Sequence, residues 1–195
     1  MRDQLQKALA TAAGLLEGRQ VIDLRRVGGG SVGSSWRVSL SDGQALFVKV
    51  AQSANLRAEQ SGLQALRGWA DLSLIEVPRV LGCLPLSGQS ALVMAWCEFS
   101  SGDQFSLGRG LALLHRASAD GGPGRFGWDQ DGFIGLGPQP RGWRESWGQA
   151  FTELRLRPQL HLAREWGLDA QEWEPLLQPI AAWLCLLYTS DAADE

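Results

Sequence analysis

Three cysteines, two histidines, one tyrosine and two lysines are all that 195 residues contain of those types. Cys83, Cys97 and Cys185 are odd in number, lack CxxC spacing and have no histidine beside them. A disulfide framework and a zinc site are both unsupported, and the thiols read as free in a reducing cytosol. Basic residues form no run, and 18 of them against 21 acids give a net charge of -3. Without a positive field, nucleic acid is not expected as a partner. The longest apolar stretch, 179–188, falls well short of the roughly 18 to 20 residues that span a bilayer, so no membrane partner is expected either. The apolar segment 8–16 is interrupted by Thr11 and Gly14 and flanked by mixed charge, which favours a short helix over a signal segment.

What the chain does have is arginine, tryptophan and glycine. With only Lys7 and Lys49 among the basic residues, arginine serves almost everywhere a solvated positive charge suffices. A lysine kept inside an apolar strand therefore calls for its own reason. The segments 21–27, 34–40 and 45–50 read as strands, with Trp36, Val38 and Leu40 on one face and a tight turn over 41–44. A helix is expected over 53–66, capped by Ser53, followed by strands at 77–81 and 90–94 around a turn at 85–89. From Leu107 the pattern is helical, with Leu107, Leu111, Leu114 and His115 on one face and further helices over 143–156 and 172–184. Residues 28–33, 100–103 and 119–140 read as loops. Strands first and helices afterwards argue for an α+β, two-lobed molecule: a β-rich lobe at 1–94, a connector at 95–103 and part of a helical lobe at 104–184.

The stretch Gly28-Gly29-Gly30-Ser31-Val32-Gly33 satisfies G-x-G-x-x-G. It leads from one strand into another rather than into a helix, and no Gly-Lys-Ser/Thr follows, so neither a dinucleotide fold nor a P-loop fits. A glycine loop between antiparallel strands, with Lys49 one strand later, has the layout of a protein-kinase nucleotide site. Glycines let backbone N–H groups approach phosphate oxygens, and the lysine adds a point charge. An unpaired ammonium in that strand would be costly, and Glu59 is the acid that the following helix offers. The strand ending in Met94-Ala95-Trp96-Cys97 lies where a kinase-like connector would meet an adenine edge. His115 and His161 read as packing or capping residues. Most of the nine tryptophans read as core, with Trp128, Trp143 and Trp147 as potential borders of a sugar site.

Later segments carry a more specific likeness. Leu111-Ala112-Leu113-Leu114-His115-Arg116, Phe126-Gly127-Trp128, Asp131-Gly132-Phe133-Ile134-Gly135, Pro138-Gln139-Pro140 and Leu154-Arg155-Leu156-Arg157-Pro158-Gln159-Leu160 resemble the fructosamine kinase (ketosamine-3-kinase) family, relatives of aminoglycoside phosphotransferases. The resemblance spans about residues 5–184 and implies a protein-kinase-like fold. It implies that Gly28, Gly29, Gly30, Ser31, Val32 and Gly33 cover the ATP phosphates, that Lys49 contacts them, and that Glu59 holds Lys49. Met94, Ala95, Trp96 and Cys97 would line the adenine. The implied reaction moves the γ-phosphoryl group of ATP, with Mg²⁺, to the sugar 3-hydroxyl of a ketoamine, either a small molecule or a glycated protein, in deglycation.

Gly132 stands where the family usually has Asn, and Ala95 where its connector often has an acid. Ser31 replaces the redox-active cysteine of many relatives, so no disulfide regulation is expected. The family's HGD…N loop and its later metal-binding Asp motif do not occur in this sequence. The catalytic Asp is expected after Leu184, and the chain is expected to be a truncated, inactive kinase. Residues 185–195 break in composition from the text before them and resemble sequencing-adapter read-through, so they are expected to be non-native. The rival readings are an aminoglycoside- or choline-type small-molecule kinase and a non-catalytic nucleotide-binding pseudokinase module.

Overall fold

Alternating burial builds the first strands. In β2 (Ser34–Leu40) Trp36, Val38 and Leu40 are buried together, and in β3 (Ala45–Ala51) Leu46, Val48 and Val50 share the same side of the sheet. The computed structural model describes residues 1–28, 33–98 and 102–189. It divides into two compact units, Met1–His115 and Arg116–Glu195.

The first unit centres on a five-stranded antiparallel sheet in the order β1-β2-β3-β5-β4, with β1 at Val21–Val27, β4 at Val80–Leu86 and β5 at Gln89–Ala95. Strand β5 is buried continuously from Ser90 to Met94 because both its faces are covered. On one face lie α1 (Arg2–Thr11) and α2 (Ala13–Leu16), which deliver Leu5, Leu9 and Leu16 onto Leu24, Trp36, Val38, Leu46, Val48 and Val93. On the other lies α3 (Ser53–Trp69), whose Leu56 and Leu63 pack against Ala51, Leu92, Met94 and Phe47. Arg19 ties the end of α2 to the β2–β3 turn, donating to the Leu16 carbonyl at 2.7 Å and to Gln44 Oε1 at 2.9 Å.

Four local expectations give way. The segment 77–79 is not a strand: Pro78 lacks an N–H, and pairing starts where Ala95 donates to the Arg79 carbonyl. Strand β4 instead runs on past Pro85, which an edge strand tolerates, to a turn at Ser87-Gly88. Ser53 does not cap α3; its hydroxyl meets the Ser90 hydroxyl at 2.7 Å, and the cap position is Gln52. In α4 (Gln104–Gly121) the buried positions are Gly110 and Leu114, while Leu107 and Leu111 are exposed. Asp103 opens that helix, accepting from the Ser106 hydroxyl and from the Phe105 and Ser106 N–H groups. The Ser106 hydroxyl bond is the chief cause that holds its carboxyl below the usual value.

The second unit contains two short antiparallel pairs where a loop was expected at 119–140. Strand β6 (Phe126–Trp128) pairs β9 (Gly142–Arg144), and β7 (Gly132–Ile134) pairs β8 (Gly137–Gln139). At Gly127, with φ +149°, a Cβ would run into the Gly142 carbonyl, so glycine is what lets this pair close. The single helix expected over 143–156 is broken into β9, a Ser146-capped α5 (Trp147–Phe151) and a π-helical turn at Thr152–Leu156. There follow α6 (Arg157–Leu162), a 3₁₀ turn at Ala163–Trp166 and α7 (Ala170–Thr189), within which the 184/185 boundary falls. The tryptophans are less uniformly core than expected. Trp36 and Trp173 are buried, whereas Trp69, Trp166 and Trp183 are exposed.

Leu92 is fully buried at the centre of β5, so Leu92→Ala is expected to destabilise the chain by about 2–5 kcal/mol in urea unfolding. Ile22→Ser, at a position 66% exposed, should stay within about 0.5 kcal/mol of the parent.

Candidate functional site

Strand β3 places Phe47, Lys49 and Ala51 on the side of the sheet that α3 covers. Glu59 follows Leu56 by three residues, so the buried side of α3 carries it toward the same strand. Lys49 Nζ donates to Glu59 Oε2 at 2.7 Å, with the side chains 24% and 32% exposed. The ammonium is therefore held in partial burial by one carboxylate and retains donor capacity for a second acceptor.

Of the glycine loop, Gly28 and Gly33 are described; Gly29, Gly30, Ser31 and Val32 lie outside the described residues. Gly33 has φ +85°, and a Cβ there would collide with the Val50 carbonyl oxygen. The loop therefore re-enters β2 flush against β3, next to Lys49, in a conformation that favours glycine. Register pairs Ser34 with Val50 and Ser35 with Lys49, which brings the loop's end and the lysine to one end of the sheet.

The other end of this face holds the connector. Met94 is buried in the α3-side core, opposite Phe47 in register. Ala95 and Trp96 are partly buried, and their N–H groups donate to the carbonyls of Arg79 and Ala45. The Trp96 ring lies 6.3 Å from that of Phe47 and under the Arg37 guanidinium at 5.1 Å. Burial pushes the Cys97 thiol up to about 11, helped by a hydrogen bond to Glu76 and by the Glu76 charge, with Arg67 opposing. Sequence reasoning did not single out Arg37 or Glu76. Arg37 was legible only through the alternation of β2, which sets it on the side opposite Trp36.

Among the described residues no group of three His, Cys, Asp or Glu side chains is placed to hold a metal ion. The residues present do not fit a Mg²⁺ site, and no step is derived through one. Both histidines are exposed, and His161 lies edge-on to the Trp173 ring at 5.1 Å. Trp143 donates from Nε1 to Asp129 at 2.7 Å, and Trp147 packs against Phe126 and Phe151. In this unit Gln159 Nε2 donates to the Pro138 carbonyl at 3.0 Å and Arg155 to that of Pro140 at 3.1 Å, joining two of the segments that carry the family likeness.

A model of the fructosamine kinase family matches residues 3–187. The chain belongs to that family. It is 38% identical over 149 residues to a Synechocystis protein named as a ketoamine kinase, covering 74% of this chain and 49% of that protein. It is 31% identical to the chloroplastic protein-ribulosamine 3-kinase of Arabidopsis thaliana, covering 89% and 57%. A crystal structure named as a fructosamine-3-kinase from Haemophilus somnus superposes with a TM-score of 0.75 at 25% identity, covering 93% of this chain and 61% of the other. The protein-kinase-like α+β fold is thereby shown. The chain spans about half to three-fifths of the length of these relatives.

The raised Cys97 pKa leaves little thiolate near neutral pH. Iodoacetamide at pH 8 should label Cys97 about tenfold more slowly than in the urea-unfolded chain, the thiolate deficit being partly offset by higher intrinsic nucleophilicity. Glu76→Gln removes an acceptor that favours the protonated form, and peptide mass spectrometry should show faster labelling.

Proposed function

We propose that this chain supplies the nucleotide end of a ketosamine 3-kinase. The observation that supports this most is the Lys49–Glu59 pair, 2.7 Å long, beside a positive-φ glycine at the loop's re-entry into β2. In this reading Gly28, Gly29, Gly30, Ser31, Val32 and Gly33 cover the ATP phosphates, and Lys49, steadied by Glu59, neutralises charge on them. Met94, Ala95, Trp96 and Cys97 border the adenine. Residues 1–94 serve as the nucleotide lobe, 95–103 as the connector and 104–184 as part of the helical lobe; residues 99–101 of the connector and 190–195 of the proposed non-native tail lie outside the described residues.

The acceptor is the sugar 3-hydroxyl of a fructosamine or ribulosamine, free or on a glycated protein. Its oxygen forms the new bond to the γ-phosphorus as the bond from that phosphorus to the β,γ-bridging oxygen breaks, ADP leaves, and the hydroxyl proton is released to solvent. The aspartate that orients the hydroxyl and the metal-binding motif are absent from residues 1–184, so the chain alone is proposed to bind nucleotide without turnover. The names of the relatives, a ketoamine kinase and a protein-ribulosamine 3-kinase, support the substrate class. No helix among the described residues is long and apolar enough to cross a membrane.

Isothermal titration with ATP tests the reading directly. Lys49→Ala is expected to weaken ATP binding by about 1.5–3 kcal/mol, the range of a hydrogen bond to a charged group. Glu59→Gln, which leaves the ammonium without its counter-charge, should weaken it less. Equal affinity in the parent and Lys49→Ala would remove the lysine from the phosphate site. Phosphate transfer from ATP to fructosyl-lysine by the 195-residue chain would overturn the assignment of catalysis to residues it lacks.

A further inference from the structure

Arg37, opposite Arg25 of β1 in register, is a cation on this face that the nucleotide reading leaves without a task. Strand register sets its position. Ser35 lies opposite Lys49 and Arg37 opposite Phe47, so Arg37 stands two residues farther from the glycine loop than the Lys49 rung does. At roughly 3.3 Å per residue that is about 7 Å along the strand, away from the phosphates and toward the connector. Its described contacts fit this place: Nη1 donates to the Ser39 hydroxyl at 3.0 Å, and the guanidinium carbon sits 5.1 Å from the Trp96 ring centre.

The indole it covers is unusual in how it is held. Trp96 Nε1 is buried, and no hydrogen bond from the described residues fixes the ring's orientation. What fixes it is contact with its neighbours: Phe47, tilted at 41° with centroids 6.3 Å apart, and the Arg37 guanidinium. Arginine suits this task because its planar cation is weakly hydrated and stacks on an aromatic ring, which a lysine ammonium does less well.

Resting on the nucleotide reading above, we propose that Arg37 is a positioning residue for the base of the bound nucleotide. It locks the Trp96 indole between itself and Phe47, and that stack forms the base end of the site while Lys49 and the loop form the phosphate end. Arg37 acts through Trp96 and makes no contact with the phosphates. Its contribution therefore depends on the ligand having a base.

Comparing ATP with inorganic triphosphate isolates this contribution. Titration calorimetry on the parent chain and on Arg37→Leu should show ATP binding weakened about three- to tenfold and triphosphate binding unchanged, the range expected from losing one cation–π contact and the ring order it maintains. Arg37→Lys should recover part of the loss, and Trp96→Leu should reproduce it, with no further loss when both residues are changed. The Trp96 indole N–H resonance, assigned by its absence in Trp96→Phe, should shift with ATP and stay in place with triphosphate.

Parallel loss of ATP and triphosphate binding in a folded Arg37→Leu variant would overturn the proposal in favour of a direct phosphate contact. Unchanged ATP binding would overturn it outright. Unfolding midpoints of each variant identify loss through misfolding, and the indole resonance of the unaltered chain then decides the matter alone. Absence of ATP binding by the unaltered chain would overturn the nucleotide reading, and this inference with it, whereas intact ATP binding with an indifferent Arg37 would sink only the latter.

Discussion

The ion pair between Lys49 and Glu59 fixes how β3 and α3 of the first unit meet. A half-buried ammonium is tolerable only with its counter-charge in place, so β3 and α3 must meet in one register and one helix rotation. A slip of one residue in β3 would drive Lys49 into the core beneath α1 and α2, among Leu5, Leu9 and Val93, and would turn Val48 and Val50 toward α3. The apolar contacts of Leu56 and Leu63 bring α3 to the sheet, but hydrophobic packing is non-directional. The pair supplies direction, together with the Ser53–Ser90 hydrogen bond at the start of α3.

Given that register, one face of the sheet acquires two distinct ends. At the Lys49 end the backbone turns sharply at Gly33, whose missing side chain lets the loop lie against the Val50 carbonyl. At the Trp96 end the surface is aromatic, with the Arg37 guanidinium over a ring. In the proposed nucleotide reading a charged, backbone-rich end suits phosphate and an aromatic end suits a base, and strand rise sets the distance between them. The order of charge and aromaticity along β2 and β3 thus favours one orientation of a nucleotide over its reverse.

Much of this was legible because its signals are local. The alternation of Trp36, Val38 and Leu40 and the run through Val48, Lys49 and Val50 set strand limits that the structure reproduces almost to the residue. Lys49 stood out by scarcity, and Glu59 by being the acid at the right helical offset. What was not legible depends on partners distant in the chain. Ser53 looks like a cap until Ser90 arrives beside it, and Leu107 and Leu111 look like a core stripe until Gly110 and Leu114 occupy the buried side. Pro85 reads as a strand breaker unless β4 is known to be an edge. The three-residue strands of the second unit are too short for any period, so glycine content alone made 119–140 read as a loop.

The segments that carried the family likeness owe their specificity to another physical cause. Gln159 and Arg155 aim their donors at the carbonyls of Pro138 and Pro140, in a segment where proline removes N–H groups and leaves acceptors with few local partners. Burial lowers the Arg155 pKa from its ordinary value, yet arginine remains charged, so this is a charge-assisted bond to a carbonyl that helix or sheet would otherwise have satisfied. Glutamine and arginine at those positions therefore answer to the proline segment. The side chains of one motif satisfy backbone carbonyls of another that lies about twenty residues earlier, which is how a structural brace can look, in sequence, like a binding site.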